Sequence, residues 1–339
     1  PNGCQNDTIT EPNPSNGSGS AVEPAADPKG PNGIISINGT PDADDAHVPN
    51  STGHANECTD STDANANANE LHAKLSRILL INARSISPAA TSSVKWKIPF
   101  INEHIINECN NLSVPFLAIT ESWLKPYISD AQVSLEGYNC LRADRPSRKG
   151  GGCILYVAEP LLFSGSFSYS DKYCSMLYCF IDSMNTFTAV IYRPPDAPIE
   201  SFKEILRLVQ RKLDDLTTGN RTPDLYIMGD FNLPTIDWEF PDHSQCQSLA
   251  EQQAARELLE FMDNNFLDQV VLQPTRGRNT IDLVLTNKSQ DIIETNVTET
   301  QMSDHKLVQL TLGYNPLKPK IQTPEAVSYT HLRAHETDR

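Results

Sequence analysis

Between residues 73 and 313 short apolar runs alternate with amphipathic stretches. Runs at Ile78–Ile81, Phe116–Ile119, Cys153–Val157, Leu177–Ile181, Phe187–Tyr192, Leu225–Met228, Ile281–Leu285 and Val308–Leu312 have the length and β-branched or aromatic content of buried strands. The stretch ESFKEILRLVQRKLDDL places Phe202, Ile205, Leu206, Val209, Leu213 and Leu216 on one helical face. Ser201 and Glu204 have the spacing of a capping box, so this helix is expected to start at Ser201. Ser248 and Glu251 repeat that spacing ahead of Leu258, Leu259 and Met262. A third helix is expected around Trp96–Cys109, with Pro99 limiting where it begins. About eight strands with interspersed helices predict one layered α/β domain over 73–315.

The ends of the chain do not share this pattern. Residues 1–72 contain no Phe, Trp or Tyr and carry 11 Asp/Glu against one Lys. Such a stretch buries too little apolar surface to offset its ordering entropy, and it is read as disordered. Residues 316–326 read as a linker. The segment 327–339 back-translates to a string similar to a common sequencing-library adapter, so it is read as an artefact and excluded from fold reasoning. The chain opens at Pro1 rather than Met, which suggests a fragment.

Charge and composition narrow the function classes. Removing both ends leaves 24 Lys/Arg against 30 Asp/Glu in 73–326, too acidic for a protein that coats nucleic acid by charge alone. No run of 18 apolar residues encodes a membrane span, and no signal peptide is visible. The eight cysteines form no CxxC or zinc-type spacing and read as reduced thiols of an intracellular protein.

Chemistry-bearing residues stand where the apolar runs stop. The first run ends at Asn82, the second at Glu121, and Tyr226-Ile227-Met228 leads into Gly229-Asp230-Phe231-Asn232. Asp282 opens one strand, and Ser303-Asp304-His305 precedes the last. Ligands of layered α/β proteins gather at strand ends. Several converging carboxylates are costly to bury unless a cation joins them. Carboxylate and amide oxygens with one imidazole suit Mg²⁺ or Mn²⁺ better than zinc. A hard cation beside a His–Asp pair is the equipment of phosphodiester hydrolysis.

The strings LLINARSI, AITESWL, VIYRPP, MGDFN, TIDLVLT and SDH, in this order, closely resemble the endonuclease/exonuclease/phosphatase superfamily. Within it the chain is similar to the apurinic-type endonuclease domain of non-LTR (LINE-like) retrotransposons, and RADRPSRKGGGCILYV and IYRPP resemble the CR1/jockey-type branch. The resemblance implies a four-layer α/β sandwich: two mixed sheets face to face, flanked by helices. It implies a Mg²⁺-dependent (or Mn²⁺-dependent) endonuclease that nicks one DNA strand to prime reverse transcription. It also implies a reverse transcriptase domain beyond this fragment, a nuclear site of action and no membrane.

Residue by residue, the resemblance implies Glu121 as principal metal ligand, with Asn82 beside the metal and the phosphate and Asp304 completing the metal environment. Asp230 would position or activate the water, and Asn232 would donate to the phosphate. His305 would act on the phosphate or in acid/base chemistry, oriented by Asp282. Tyr192 would bond near the phosphate, and Thr275 and Arg276 would sit on a DNA-facing loop. Two positions depart from the family pattern. Pro195 follows Tyr192-Arg193-Pro194 where a phosphate-binding amide is often found, and Arg84 replaces an acidic residue of repair enzymes. Both argue against a dedicated repair enzyme.

Other features stay open or take structural readings. Arg145, Arg148 and Lys149 form a basic loop, either solvated or touching DNA. Gly150-Gly151-Gly152 reads as a hairpin bend, and Trp123 and Trp238 read as core packing ahead of base stacking. Two rival functions remain: a same-fold enzyme acting on a lipid, inositol phosphate or RNA, and a catalytically dead binding remnant.

Overall fold

The chain divides into two units, Pro1–Cys58 and Thr59–Arg339. The computed structural model describes residues 75–87, 97–107, 112–145, 149–219, 222–242, 244, 246 and 248–317, all in the second unit. The disordered segment expected at 1–72 and the adapter-like segment 327–339 lie outside the described residues.

Twelve strands are described: β1 (Ser76–Asn82), β2 (Ser113–Thr120), β3 (Tyr138–Ala143), β4 (Cys153–Ala158), β5 (Phe163–Ser170), β6 (Ser175–Ile181), β7 (Thr186–Tyr192), β8 (Asp224–Asp230), β9 (Asp268–Gln269), β10 (Asp282–Thr286), β11 (Ile292–Thr298) and β12 (Leu307–Leu312). They form two six-stranded sheets, ordered β11-β12-β1-β2-β4-β3 and β5-β6-β7-β8-β10-β9. Each sheet is antiparallel except for one central parallel pair: β1 with β2 in the first and β7 with β8 in the second. The expected apolar runs fall in these strands, with Ile281 one residue outside β10. The four strands not anticipated are β3, β5, β9 and β11, and each is a sheet edge.

Three apolar layers hold the sandwich together. Alternate residues of the two sheets meet face to face, with Ile78, Leu80, Phe116, Leu155, Val190, Met228, Val284 and Leu310 among them. The outer face of the second sheet packs on α2 (Ile199–Thr218) and α3 (Leu249–Asn264). All six apolar positions of the anticipated α2 face are buried. The outer face of the first sheet is covered by Ile101, Ile105, Ile86, Leu124, Ile128 and Leu135. The four-layer arrangement is therefore present.

Helix starts differ in detail. α2 begins at Ile199 with Pro198 as its cap residue, two residues earlier than expected, because Pro198 suits a helix entry and leaves Ser201 inside the first turn. Ser248 does cap α3, accepting from the Glu251 N–H. The Glu251 carboxylate does not return to the cap; it accepts from the Thr235 hydroxyl at 2.7 Å. The helix expected around Trp96–Cys109 is described over α1 (Lys97–Phe100) with a π-helical continuation over Ile101–Ile106. Pro99 sits in its first turn, where a missing N–H is tolerated.

The parallel pairs explain where the site must be. In register, Asn82 lies beside Thr120, and Tyr192 beside Asp230. β10 runs antiparallel to β8 and places Asp282 opposite Asp230. β12 runs antiparallel to β1, so the residues before Leu307 return to the end of β1 that carries Asn82.

Gly229 makes the close approach of β7 and β8 possible. Its φ is +151°, and a Cβ there would lie 1.8 Å from the Ile191 carbonyl oxygen. Backbone cannot yield that far. Gly229→Ala is expected to lose at least ~3 kcal/mol in urea unfolding; a loss below ~1 kcal/mol would contradict the close β7–β8 approach at this residue.

Candidate active site

The ends of both sheets bring six polar side chains together. Asn82 is fully buried, and its amide donates to Asp230 Oδ2 at 2.8 Å and to Glu121 Oε1 at 3.3 Å. One carboxamide thus joins the first sheet to the second. Tyr192 donates its hydroxyl to Glu121 Oε1 at 3.3 Å. Asp230 also accepts from the Asn232 N–H at 3.1 Å. His305 Nδ1 stands 2.7 Å from Asp282 Oδ2, and both residues are essentially without solvent contact. Asp230, Asp282 and His305 each offer a ligating atom within 4.8 Å of the others.

The backbone around these residues is strained. Among the described non-glycine residues seven have positive φ, and five of them lie here: Arg84, Ser85, Glu121, Trp123 and Asn232. Such conformations persist where surrounding contacts hold them, and they gather at functional sites. The contacts are visible. After β1 and β2 the chains stay paired, with Ser85 N–H donating to the Glu121 carbonyl at 2.7 Å and Ile86 N–H to Ser122 at 3.0 Å. Trp123 N–H donates to the Gly151 carbonyl at 2.9 Å.

Electrostatics follow from burial. Desolvation, with the Asp282 charge added, pushes the Asp230 carboxyl well above the usual carboxylate range. Burial would lower the His305 imidazole, but its bond to Asp282 and the charges of Asp282 and Asp230 outweigh that and raise it. Asp282 Oδ1 is buried and has no hydrogen-bond partner. A buried carboxylate oxygen left open beside two further titratable groups is a fitting place for a cation or an additional donor.

Not every expected site residue joins this cluster. Asp304 lies outside it, with Oδ1 on Arg84 Nη1 at 2.9 Å and Oδ2 on Arg276 Nη2 at 2.8 Å. Thr275 is fully buried rather than DNA-facing; its hydroxyl accepts from the N–H groups of Ile281 and Asp282 and so fixes where β10 starts. Arg276 is half exposed at the mouth. Arg145 is not part of a solvated loop: it is 3% exposed, donates to the carbonyls of Gly150, Lys149 and Tyr173, and lies 5.6 Å from the Tyr192 ring centre. The triple glycine leaves room for that guanidinium, since a Cβ on Gly151 would meet it at 2.5 Å. Arg148 lies outside the described residues. The Asn232 amide donates to the Arg193 carbonyl at 2.9 Å.

Several contributors were not anticipated. Trp123 is half-buried and donates its indole N–H to Glu121 Oε2 at 3.0 Å, so it positions Glu121 rather than simply packing. Trp238 does pack in the core, with its indole on the Thr280 carbonyl. Lys97 is buried and donates to the Ala83 carbonyl at 2.7 Å. The Ser303 hydroxyl donates to the Asn82 carbonyl and accepts from the His305 N–H. Only Trp123 and Ser303 carried a sequence signal, through adjacency to Glu121 and His305.

The two-sheet sandwich has the fold of the endonuclease/exonuclease/phosphatase class. Residues 186–309 match the sequence model of the family described as endonuclease-reverse transcriptase. The AP endonuclease LMAP from Leishmania major superposes with a TM-score of 0.52 at 14% identity, covering 74% of this chain and 90% of that one. The endonuclease domain of TRAS1, a telomere-specific non-LTR retrotransposon, gives 0.44 at 16% identity, covering 70% and 98%. The 3′ phosphatase NExo from Neisseria, bound to product DNA hairpin, gives 0.48 at 14% identity, covering 69% and 98%. No curated protein sequence matches the chain. No described helix is long and apolar enough to cross a membrane.

Two buried groups with raised pKa make stability depend on pH. A raised folded-state pKa means the folded state holds protons more tightly, so the stabilisation is complete below the unfolded value and is lost as pH rises through the folded one. For His305 that loss begins above its ordinary 6.5. In EDTA, Tm is expected to fall as pH rises above about 6.5. Asp282→Asn should flatten that fall; an unchanged slope would separate His305 from Asp282.

Proposed function

We propose that this chain is a divalent-cation-dependent DNA endonuclease that nicks one strand by phosphodiester hydrolysis, as the priming nuclease of a non-LTR retrotransposon. The observation that carries this reading is the buried Asp230–Asp282–His305 cluster joined through Asn82 to Glu121. The family description, endonuclease-reverse transcriptase, supports a nucleic acid substrate and a reverse transcriptase domain as partner, with nuclear action following from that role.

The donor set fits a hard cation. It offers carboxylate and carboxamide oxygens, one imidazole and the unpartnered Asp282 Oδ1. Glu121 and Asn82 would hold Mg²⁺ or Mn²⁺ beside the cluster. When bound, such an ion neutralises charge developing on the phosphoryl oxygens.

The protein's own groups divide the remaining work. Asp230, with its raised pKa, accepts the proton of the attacking water. Asn82 and the Asn232 N–H hold Asp230 in place for that transfer. Asp282 fixes the His305 ring through Nδ1, which leaves Nε2 to donate to the phosphate or the leaving oxygen. Tyr192 and Trp123 each hold one oxygen of Glu121. Burial of the imidazole and carboxylates lowers the local dielectric and strengthens each of these interactions.

Supercoiled plasmid with Mg²⁺ should convert to open circles. Asp230→Asn and His305→Ala should each slow that conversion by about 10²–10⁴-fold. Intact plasmid alongside product release from an inositol phosphate, lipid or oligo(A) substrate would transfer the activity to another ester. Equal, background-level nicking by wild type and Asp230→Asn would leave a binding remnant.

A further inference from the structure

At the mouth of the site three elements meet through one carboxylate. Arg84 follows β1, Arg276 precedes β10, and Asp304 precedes β12. Asp304 Oδ1 accepts from Arg84 Nη1 at 2.9 Å, and Oδ2 accepts from Arg276 Nε and Nη2, both at 2.8 Å. The three side chains are 41–47% exposed. Exposed ion pairs contribute little stability, so this junction does not explain itself as a fold stabiliser.

The backbone is nevertheless forced to present Arg84. Its φ is +42° and that of Ser85 is +87°. Three bonds hold the turn: Arg84 N–H to Asn82 Oδ1 at 3.1 Å, Lys97 Nζ to the Ala83 carbonyl, and Ser85 N–H to the Glu121 carbonyl. Two guanidiniums meet the one Asp304 carboxylate, and the Glu121 charge also acts on Arg84. Arg84 meets Asp304 through Nη1. Beside Arg276 and Asp304 opens a cavity of about 670 Å³, lined also by Pro195, Asn232 and Arg278.

We infer that Arg84 and Arg276, locked in a fixed spacing by Asp304, form a guanidinium clamp on a backbone phosphate of the cleaved strand. Planar guanidinium forks match phosphate oxygens in pairs. Asp304 is on this reading a positioning residue for two arginines. The inference rests on the nuclease reading, since it supplies the phosphate ligand.

The test is binding of a short fluorescein-labelled duplex in EDTA, followed by anisotropy between about 50 and 200 mM KCl. Arg84→Gln and Arg276→Gln should each weaken binding and reduce the salt slope by about 0.9, the value of one lost phosphate contact. Arg207→Gln, which removes an exposed arginine on α2, should keep the wild-type slope. Asp304→Asn should keep the slope, slow nicking and leave the Mg²⁺ concentration for half-maximal nicking unchanged. Wild-type slopes in both arginine variants, or a tenfold or greater rise in the Mg²⁺ requirement of Asp304→Asn, would overturn the clamp. If wild type nicks and the arginine variants titrate like it, the clamp alone fails. If wild type binds with the expected slopes but does not nick, the nuclease reading fails and with it the cleaved strand, leaving the two arginines as a phosphate contact of a non-cleaving binder. Absence of duplex binding by wild type would overturn both.

Discussion

The amide of Asn82 spans the two sheets, and the site depends on that bridge. It donates to a carboxylate at the end of β8 and to another just after β2. Such a bridge forms only if the central parallel pairs of both sheets end at the same level. The registers of β1 with β2 and of β7 with β8 ensure this, and the antiparallel returns of β10 and β12 add Asp282 and His305. The face-to-face apolar layer beneath makes the level rigid, because close-packed side chains resist sliding.

That rigidity is used to hold groups that would not remain together in water. Asp230 and Asp282 face one another across paired strands, both buried. Their mutual repulsion and desolvation appear in the elevated proton affinity of Asp230 and are offset in part by the imidazole of His305. Positive φ at Arg84, Ser85, Glu121, Trp123 and Asn232 is a second cost at the same place. A fold that concentrates like charge and backbone strain at one end has a local minimum of stability there, which is where a charge-neutralising ligand would stabilise most.

The acidic chain does not oppose this reading. Arg276 and Arg84 stand at the mouth, while Arg145 is internal and shores up Tyr192. Charge at the point of contact, rather than the net value, sets the encounter with a polyanion.

Central strands were legible in the sequence and edge strands were not. β1, β2, β7 and β8 are buried on both faces and read as continuous apolar runs. β3, β5, β9 and β11 have one solvated side and an unpaired edge, and FSGSFSYS and IIETNVT carry too few apolar residues to stand out. Asn82, Glu121, Asp230, Asp282 and His305 could be singled out because each interrupts or abuts an apolar run. The partners of Asp304 could not, since Arg84 and Arg276 lie far from it in sequence and ion pairing leaves no local pattern. Arg145 read as either solvated or touching DNA, and its internal place was hidden for the same reason: its carbonyl acceptors, at Lys149, Gly150 and Tyr173, carry no side-chain signature.

The most direct measurement is a crystal structure of the chain with Mn²⁺, read by anomalous scattering. The account requires a single strong peak where Glu121 and Asn82 meet the Asp230–Asp282–His305 cluster. A peak away from all five residues, or an empty site at saturating Mn²⁺ with these side chains in place, would contradict it.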